Sequence, residues 1–353
     1  MRCIRIGYGK VARLHENKLK DLAVKTVGIL EKNVEKSQLA KSHGFCVLSD
    51  YEDAARYSPH FWDVCTCTAS HVDVIEHIVN VSPYANILVE KPICLFSQIE
   101  RLKSILSCFH GKLAINENYL VSQVSKTVHD KILQLGMIPT RVISEMTKNR
   151  SYDIANGRFL DKENFVFGYE GSHMLTSVLS LGMEYAPAVP LGATYRDMYI
   201  DYKTHKEQLH KQGSVKICYR SKSGVEVTLY TSMDGKIGFT FPHGPYSDYY
   251  IPDNDRRTRY RALAVEDNVR QSSVVGYYEP IANLPRVTGM VMVLQKEKLK
   301  ESIFPIEDDM FRSSMEKTIG YFSDKSENIC ALPKAIDTVK MFQLLRALRE
   351  LSI

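Results

Sequence analysis

The chain has 353 residues, 44% of them hydrophobic and 25% charged, with a formal charge of +5. That length supports two domains with separate cores, and the composition is that of a soluble globular protein. The small charge, with basic and acidic residues interleaved, argues against a nucleic-acid partner but suits an anionic small substrate, and no apolar run reaches the length of a membrane span.

The first predicted strand begins within a few residues of Met1, which predicts no signal or transit peptide. Eight cysteines, Cys3, Cys46, Cys65, Cys67, Cys94, Cys108, Cys218 and Cys330, lie scattered. They read as reduced, mostly buried thiols of a cytoplasmic protein. No Cys/His cluster at zinc spacing accompanies Cys65-Thr66-Cys67, so no metal is expected.

In chain order, the apolar strand Ile4-Arg5-Ile6 runs into the turn Gly7-Tyr8-Gly9, which opens directly into a helix at Lys10-Val11-Ala12. In a dinucleotide-binding unit the first glycine permits the turn and the second lets the backbone approach a pyrophosphate. A small residue such as Ala12 then lets the helix pack on the strand. The unpaired N–H groups and positive end of that helix would hold the phosphates. A second strand, Val24 to Leu30, ends at Glu31, where an acid accepts the adenosine ribose hydroxyls. Its charge favours NAD over a 2′-phosphate, and Lys32 and Asn33 still admit NADP.

Beyond Glu31, Val34 to His43 reads as a surface helix, Phe45 to Leu48 as a short strand and Asp50 to Ala55 as the start of a helix. Asp63 to Thr68 is the next strand, Val72 to Val79 the next helix, and Ile87 to Val89 a further strand closed by Glu90-Lys91-Pro92. Such alternation predicts a parallel sheet. Pro92 keeps Lys91 out of the helical region and holds it at the carboxyl edge of that sheet, where open α/β sheets bind ligands. An ammonium there can orient a substrate hydroxyl beside a nicotinamide and stabilise developing alkoxide charge.

Gly7-Tyr8-Gly9-Lys10-Val11-Ala12 with His15, Thr68-Ala69-Ser70-His71, Leu88-Val89-Glu90-Lys91-Pro92 and Asn116-Glu117-Asn118-Tyr119 together resemble the Gfo/Idh/MocA family of glucose-fructose oxidoreductase and inositol dehydrogenase. The resemblance implies a Rossmann domain over 1–120. A second α/β domain, over 121–353, would have a large, open, mostly antiparallel sheet that forms a homodimer or homotetramer, with the C-terminal helices near the domain junction. It implies cofactor contacts at Gly7, Tyr8, Gly9, Lys10, Val11, Ala12, Glu31, Lys32, Thr68, Ala69, His71, Glu90, Lys91 and Asn118. Substrate contacts are implied at Lys91, Tyr119, Tyr169, Glu170, His173 and Thr176.

The second half supports that architecture independently. Arg141 to Thr147, Val215 to Tyr219, Val225 to Tyr230, Lys236 to Phe241 and Thr288 to Leu294 read as strands, with turns at Ser221-Lys222-Ser223-Gly224 and Met233-Asp234-Gly235. Successive strands without intervening helices describe an antiparallel sheet.

Between them lies Gly168-Tyr169-Glu170-Gly171-Ser172-His173-Met174-Leu175-Thr176. Family members carry an aspartate one helical turn before the histidine, so that both share a face. Here Tyr169 stands at the aspartate position, Glu170 follows one place late, and Thr176 replaces a further aspartate. Imidazole can give or take the hydroxyl proton near neutrality. Tyr169 is an alternative relay if a cation such as Lys91 lowers its pKa.

Pro245 to Ala262 contains Asp253, Asp255, Arg256, Arg257, Arg259 and Arg261 among tyrosines. Arginines can clamp a phosphate, but the adjacent acids favour a solvated or subunit-contact loop. Lys148, Arg150 and Arg158 are comparable candidates. Two helices, Asp308 to Phe322 and Ala335 to Leu351, end the chain.

The expected function is NAD(P)-dependent oxidation or reduction of a secondary alcohol or ketone of a sugar, cyclitol or activated sugar. Lys91 would orient the reacting oxygen, and His173, with Tyr169 as an alternative relay, would move the proton. Reduction of an imine or other carbonyl, and a cofactor-binding sensor without turnover, are the competing expectations.

Overall fold

The computed structural model describes residues 1–182, 189–245, 250–252, 255, 258–279 and 285–348. They divide into two compact units, Met1–Asn118 with Phe311–Lys340, and Tyr119–Met310 with the chain from Met341. The sequence division left all of 121–353 in the second domain. The segment Phe311–Lys340 instead groups with the first unit.

The first unit is built on five parallel strands, β1 (Arg2–Ile6), β2 (Lys25–Leu30), β3 (Phe61–Val64), β4 (Ile87–Glu90) and β5 (Leu113–Asn116). Their order is β2-β1-β3-β4-β5, so the winding direction reverses between β1 and β3. Ligands of open α/β sheets bind above the strand ends at such a reversal. The connecting helices are α1 (Lys10–Asp21), α2 (Val34–Ser42), α3 (Tyr51–Arg56), α4 (Thr68–Val81) and α5 (Ile99–Leu106). The helix Met310–Phe322 buries Met315 and Phe322 against Cys3, Leu19, Phe61 and Leu88, which is why it joins this unit.

Two local readings change here. Phe45–Leu48 forms no strand; Val47 makes a single bridge to Ile29. The strand expected over Asp63–Thr68 ends at Val64, because Cys67 already caps α4.

The second unit carries an eight-stranded sheet of β6 (Arg141–Thr147), β7 (Val189–Asp201), β8 (Lys206–Arg220), β9 (Glu226–Ser232), β10 (Tyr260–Asp267), β11 (Ser272–Tyr277), β12 (Thr288–Gln295) and β13 (Lys298–Glu307). The order is β13-β12-β11-β10-β6-β9-β8-β7. Only β6 and β9 pair in parallel, so the sheet is mostly antiparallel, as expected. On one face lie α6 (Gln123–Gln134) and α8 (Phe167–Leu179); a short helix, α7 (Ser151–Ala155), follows β6. Gly276 and Gly289 let α6 lie close, since a Cβ on either would collide with Val128 or Val124.

The opposite face is apolar, with Ile143, Tyr260, Ala262, Val275 and Met292 packed under Ile237, Ile251, Phe239 and Phe241. The strand predicted over Lys236–Phe241 is therefore an irregular cover. Its N–H groups at Gly238 and Phe239 donate to the buried Glu145 carboxylate, at 2.9 and 2.7 Å, instead of to a neighbouring strand. Its alternating apolar residues still pack inward, which is what the sequence pattern reported.

The stretch read as a solvated loop, Pro245–Ala262, ends in the core. Tyr260 and Arg261 open β10 and are 1% and 8% exposed. Asp253, Arg256, Arg257 and Leu351 lie outside the described residues. The last described helix is Leu332–Arg346. All eight cysteines are thiols, but only Cys3, Cys65, Cys94 and Cys330 are buried, fewer than expected. No described helix is long and apolar enough to cross a membrane.

Candidate functional site

In the first unit, Gly7 leaves β1 with φ +90°, and a Cβ there would lie 2.9 Å from the Cys65 carbonyl oxygen at the end of β3. Only glycine suits this turn at low cost. Gly9 differs: its φ is ordinary, and a Cβ would meet nothing within 4 Å. The space before α1 is therefore open. Among the described residues no side chain caps this helix, whose first N–H groups remain available to an anion. Ala12 is fully buried, which seats the helix on the sheet.

Glu31 follows β2 directly. Its carboxylate accepts the Tyr8 N–H at 2.7 Å and the Asn33 N–H at 2.8 Å, tying the acidic strand end to the glycine turn. Lys32 beside it is exposed, as are Lys10 and Val11. The Tyr8 side chain does not face the turn. It is buried against Phe45, and its hydroxyl meets His43 Nδ1 at 2.8 Å, so Tyr8 offers a ligand only backbone.

At the carboxyl ends of β3, β4 and β5, Thr68 and Ala69 begin α4, and His71 follows on its first turn. His71 Nδ1 lies 2.9 Å from the Pro92 carbonyl oxygen and Nε2 3.1 Å from that of Thr66, fastening the α4 entry to the Lys91-Pro92 turn. Burial pulls its pKa down, although both carbonyl contacts work the other way. Lys91 is half-buried, and its peptide bond to Pro92 is cis. Asn118 begins a single 3-10 turn, and its buried Oδ1 has no partner among the described residues.

Behind Lys91 runs a buried chain of charges that the sequence reading missed. Arg5, on β1, donates from Nε to Asp63 Oδ2 at 2.8 Å and also pairs with Glu16. Asp63 Oδ1 is 2.8 Å from His15 Nδ1, and His15 Nε2 is 2.8 Å from Glu90 Oε1. Asn116 donates to the same Glu90 oxygen at 2.6 Å and accepts from Ser314 at 2.7 Å. Burial opposes charge throughout, yet Asp63 raises His15 well above its usual pKa, while His15 and Arg5 hold Asp63 well below the carboxylate range. Glu90 is likewise lowered against its burial, chiefly by His15. The side chain of Cys65 also approaches this group, but with Arg5 on Asp63 the arrangement is an ion-pair network rather than a metal centre.

In the second unit, α8 carries four of the predicted residues. Tyr169 and His173 are half-buried and one turn apart, on the same face. The His173 ring lies 5.0 Å from that of Tyr119, which is buried. Tyr119 receives a hydrogen bond from Arg261 Nη1. Glu170 points to the buried side, where Arg150 donates to it at 2.7 Å and Arg261 at 3.1 Å. Burial would raise Glu170, but Arg261 and Arg150 hold it far below the carboxylate range, so it is a fixed anion and not an acid.

Two expectations on this helix are corrected. Thr176 is fully buried and donates to the Ser172 carbonyl, so it packs the helix rather than presenting a substrate contact. The Tyr169 hydroxyl accepts the Asp161 N–H at 2.8 Å and donates to the Phe159 carbonyl at 3.1 Å. Burial raises its pKa, outweighing the nearby Arg158, which is the opposite of what a proton relay needs. The roles of Arg150 and Arg261 were not found from sequence, although their charge within strand-like runs was the available signal.

The first 115 residues match the Gfo/Idh/MocA model, described as an oxidoreductase family with an NAD-binding Rossmann fold. No curated protein sequence matches the chain significantly. Among solved structures, UDP-N-acetylglucosamine 3-dehydrogenase GnnA from Acidithiobacillus ferrooxidans is 17% identical with a TM-score of 0.64, covering 98% of this chain and 96% of its own. A lysine-to-glutamate variant of KijD10, a 3-ketoreductase from Actinomadura kijaniata bound to TDP-benzene and NADP, is 15% identical with a TM-score of 0.65, covering 100% and 99%. GenD2 from gentamicin A biosynthesis, bound to NAD, is 12% identical with a TM-score of 0.67, covering 97% and 92%. At these identities the structures share the fold with this chain.

Proposed function

We propose that this member of the Gfo/Idh/MocA oxidoreductases, an NAD(P)-binding enzyme family, acts on a secondary alcohol or ketone of a sugar, cyclitol or activated sugar. The observation that carries the reading is the combination, in one unit, of an open glycine turn before an uncapped helix with a lysine at a strand end backed by a buried charge network. GnnA and KijD10, a sugar-nucleotide 3-dehydrogenase and a 3-ketoreductase, support the substrate class.

The turn residues fit the cofactor, because Gly9 leaves space and α1 leaves N–H donors where a pyrophosphate requires them. Glu31 would take the adenosine ribose, with Lys32 and Asn33 admitting either nicotinamide cofactor. When bound, NAD(P) supplies or accepts the hydride. Lys91 orients the reacting oxygen and stabilises its developing negative charge. His173 takes the hydroxyl proton in oxidation and returns it in reduction. Tyr169, its phenol held by two backbone groups, positions the 159–161 segment. The exposed edge strand β13 supports assembly of the second unit into a homodimer or homotetramer.

Absorbance of the reduced nicotinamide, followed with a panel of sugars, sugar phosphates, nucleotide sugars, cyclitols and their ketones, tests this. Lys91→Met and His173→Ala should each lower turnover by ~10²–10⁴-fold while NADH binding persists, and Tyr169→Phe should keep most activity. Turnover indifferent to Lys91→Met refutes the assignment. NADH binding without turnover on any member of the panel favours a sensor.

A further inference from the structure

We propose that the second unit binds an anionic oxygen group of the substrate, a carboxylate or a phosphate ester, through a cluster of Arg150, Arg158, Arg259 and Arg261; the inference rests on the substrate reading above. The sheet builds the cluster. Strands β6 and β10 pair antiparallel with Thr147 opposite Tyr260, which brings the exit of one, Lys148 to Arg150, beside the entry of the other, Arg259 to Arg261. Arg158 follows α7 and is held there by its N–H bond to the Asp153 carbonyl at 2.9 Å.

Charge in this cluster does not balance among the described residues. Glu170 pairs with Arg150 and Arg261, Glu279 with Arg259 at 3.1 Å and Arg261 at 3.5 Å, and Asp153 with Lys148 at 3.2 Å. Five cations thus face three carboxylates. Among the described residues Arg158 makes no ion pair, its guanidinium lying over the Phe159 and Tyr169 rings, and the Nε groups of both Arg158 and Arg259 are buried without a hydrogen-bond acceptor. Burial, aided by the neighbouring guanidinium groups, pulls Lys148, Arg150 and Arg259 below their usual pKa ranges.

Gathering unmatched positive charge away from water is costly unless an anion completes it. Guanidinium forks fit the two oxygens of a carboxylate or phosphate, and two of these forks still have a donor to give. Arg158 and Arg259 are only half-buried, which leaves the cluster open to a ligand. Buried, unpartnered Nε donors on Arg158 and Arg259 distinguish this cluster from an ordinary surface of interleaved charge, although one acceptor, Glu279 Oε2, is likewise buried without a partner among the described residues.

The test uses the full chain saturated with NADH, so that the glycine turn is filled and takes no phosphate. Inorganic phosphate and acetate are titrated separately by calorimetry against chloride at matched ionic strength. One equivalent of one anion should bind, about tenfold or more weaker in Arg158→Gln and in Arg150→Gln. Preference for phosphate identifies a phosphate ester; preference for acetate identifies a sugar acid. Arg158→Gln, at a half-buried position, guards against loss of fold, which an unchanged NADH affinity reports. Binding no better than chloride, or binding unaffected by both substitutions, overturns the proposal. NADH affinity is measured first and on its own, so a chain that fails to take NADH yet binds anion in an Arg158-dependent way separates the two readings.

Discussion

Replacing Asp63 by asparagine removes one negative charge from the interior of the first unit at constant side-chain size. Asp63, Arg5 and His15 are all fully buried, and Asp63 holds both cations at 2.8 Å. Breaking a buried pair from one side costs ~3–5 kcal/mol, because the partner charge is left uncompensated. Arg5 keeps Glu16, which places the expected loss near the lower end, about 3 kcal/mol, or roughly 6–12 °C in Tm for a unit of this size.

The pH dependence is the sharper test of that network. Burial disfavours the His15 charge but Asp63 outweighs it, so the folded pKa lies well above 6.5. Its stabilising contribution is complete below pH 6.5 and is lost as pH rises through the folded value. Asp63, lowered from 3.8 against its burial by His15 and Arg5, contributes above pH 3.8 and fades as pH falls through its depressed value. The wild type should therefore hold this contribution undiminished between those two ordinary values and lose it progressively from pH 6.5 up to the raised folded value. In Asp63→Asn that decline should be smaller and should end nearer pH 6.5. Thermal unfolding followed by circular dichroism across this range reads both effects. A loss below ~1 kcal/mol, or an unshifted alkaline limb, would refute the network as described.

The two turn glycines should separate stability from binding. Gly7→Ala places a Cβ at φ +90° against the Cys65 carbonyl and should cost ~1–3 kcal/mol in urea unfolding. Gly9→Ala meets open space, so Tm should hold while NADH affinity, read by fluorescence titration, falls about tenfold; unchanged affinity would remove Gly9 from the phosphate site. On the second sheet, burial pushes Glu145 up to about 8, against the hydrogen bonds from Gly238, Thr147 and Phe239. A folded pKa above the ordinary 4.5 means that the folded state retains a proton the unfolded state releases, so stability falls as pH climbs from 4.5 through about 8. Glu145→Gln should flatten that slope in Tm measured from pH 5 to 9.

What was legible in the sequence was local. The glycine turn, the acidic end of β2 and the Glu90-Lys91-Pro92 exit each lie within a few residues, where backbone sterics and strand–helix alternation act directly. The ion networks were not legible, because Arg5 and Asp63 stand 58 positions apart and Glu170 and Arg261 stand 91 apart. Nothing in a local pattern joins such partners. The segment Lys236–Phe241 failed for a related reason. Alternating apolar residues announce a buried face, but not whether the N–H groups behind it will find a strand or, as here, the carboxylate of Glu145.

The helix that carries His173 shows how one residue of offset redirects chemistry. A carboxylate at position 169 would share the His173 face, one turn away. The chain puts a phenol there and its carboxylate at 170, rotated by about 100° around the helix. That rotation turns Glu170 into the interior, onto Arg150 and Arg261, where it is locked in the charged form. The phenol cannot replace it as an acid, since burial raises its pKa and two backbone groups already engage its oxygen. Of Tyr169, Glu170 and His173, the half-buried imidazole is the group to which the proposed function gives the proton. On the proposed reading the carboxylate at 170 serves to arrange arginines, and the imidazole of His173 is left to move the proton.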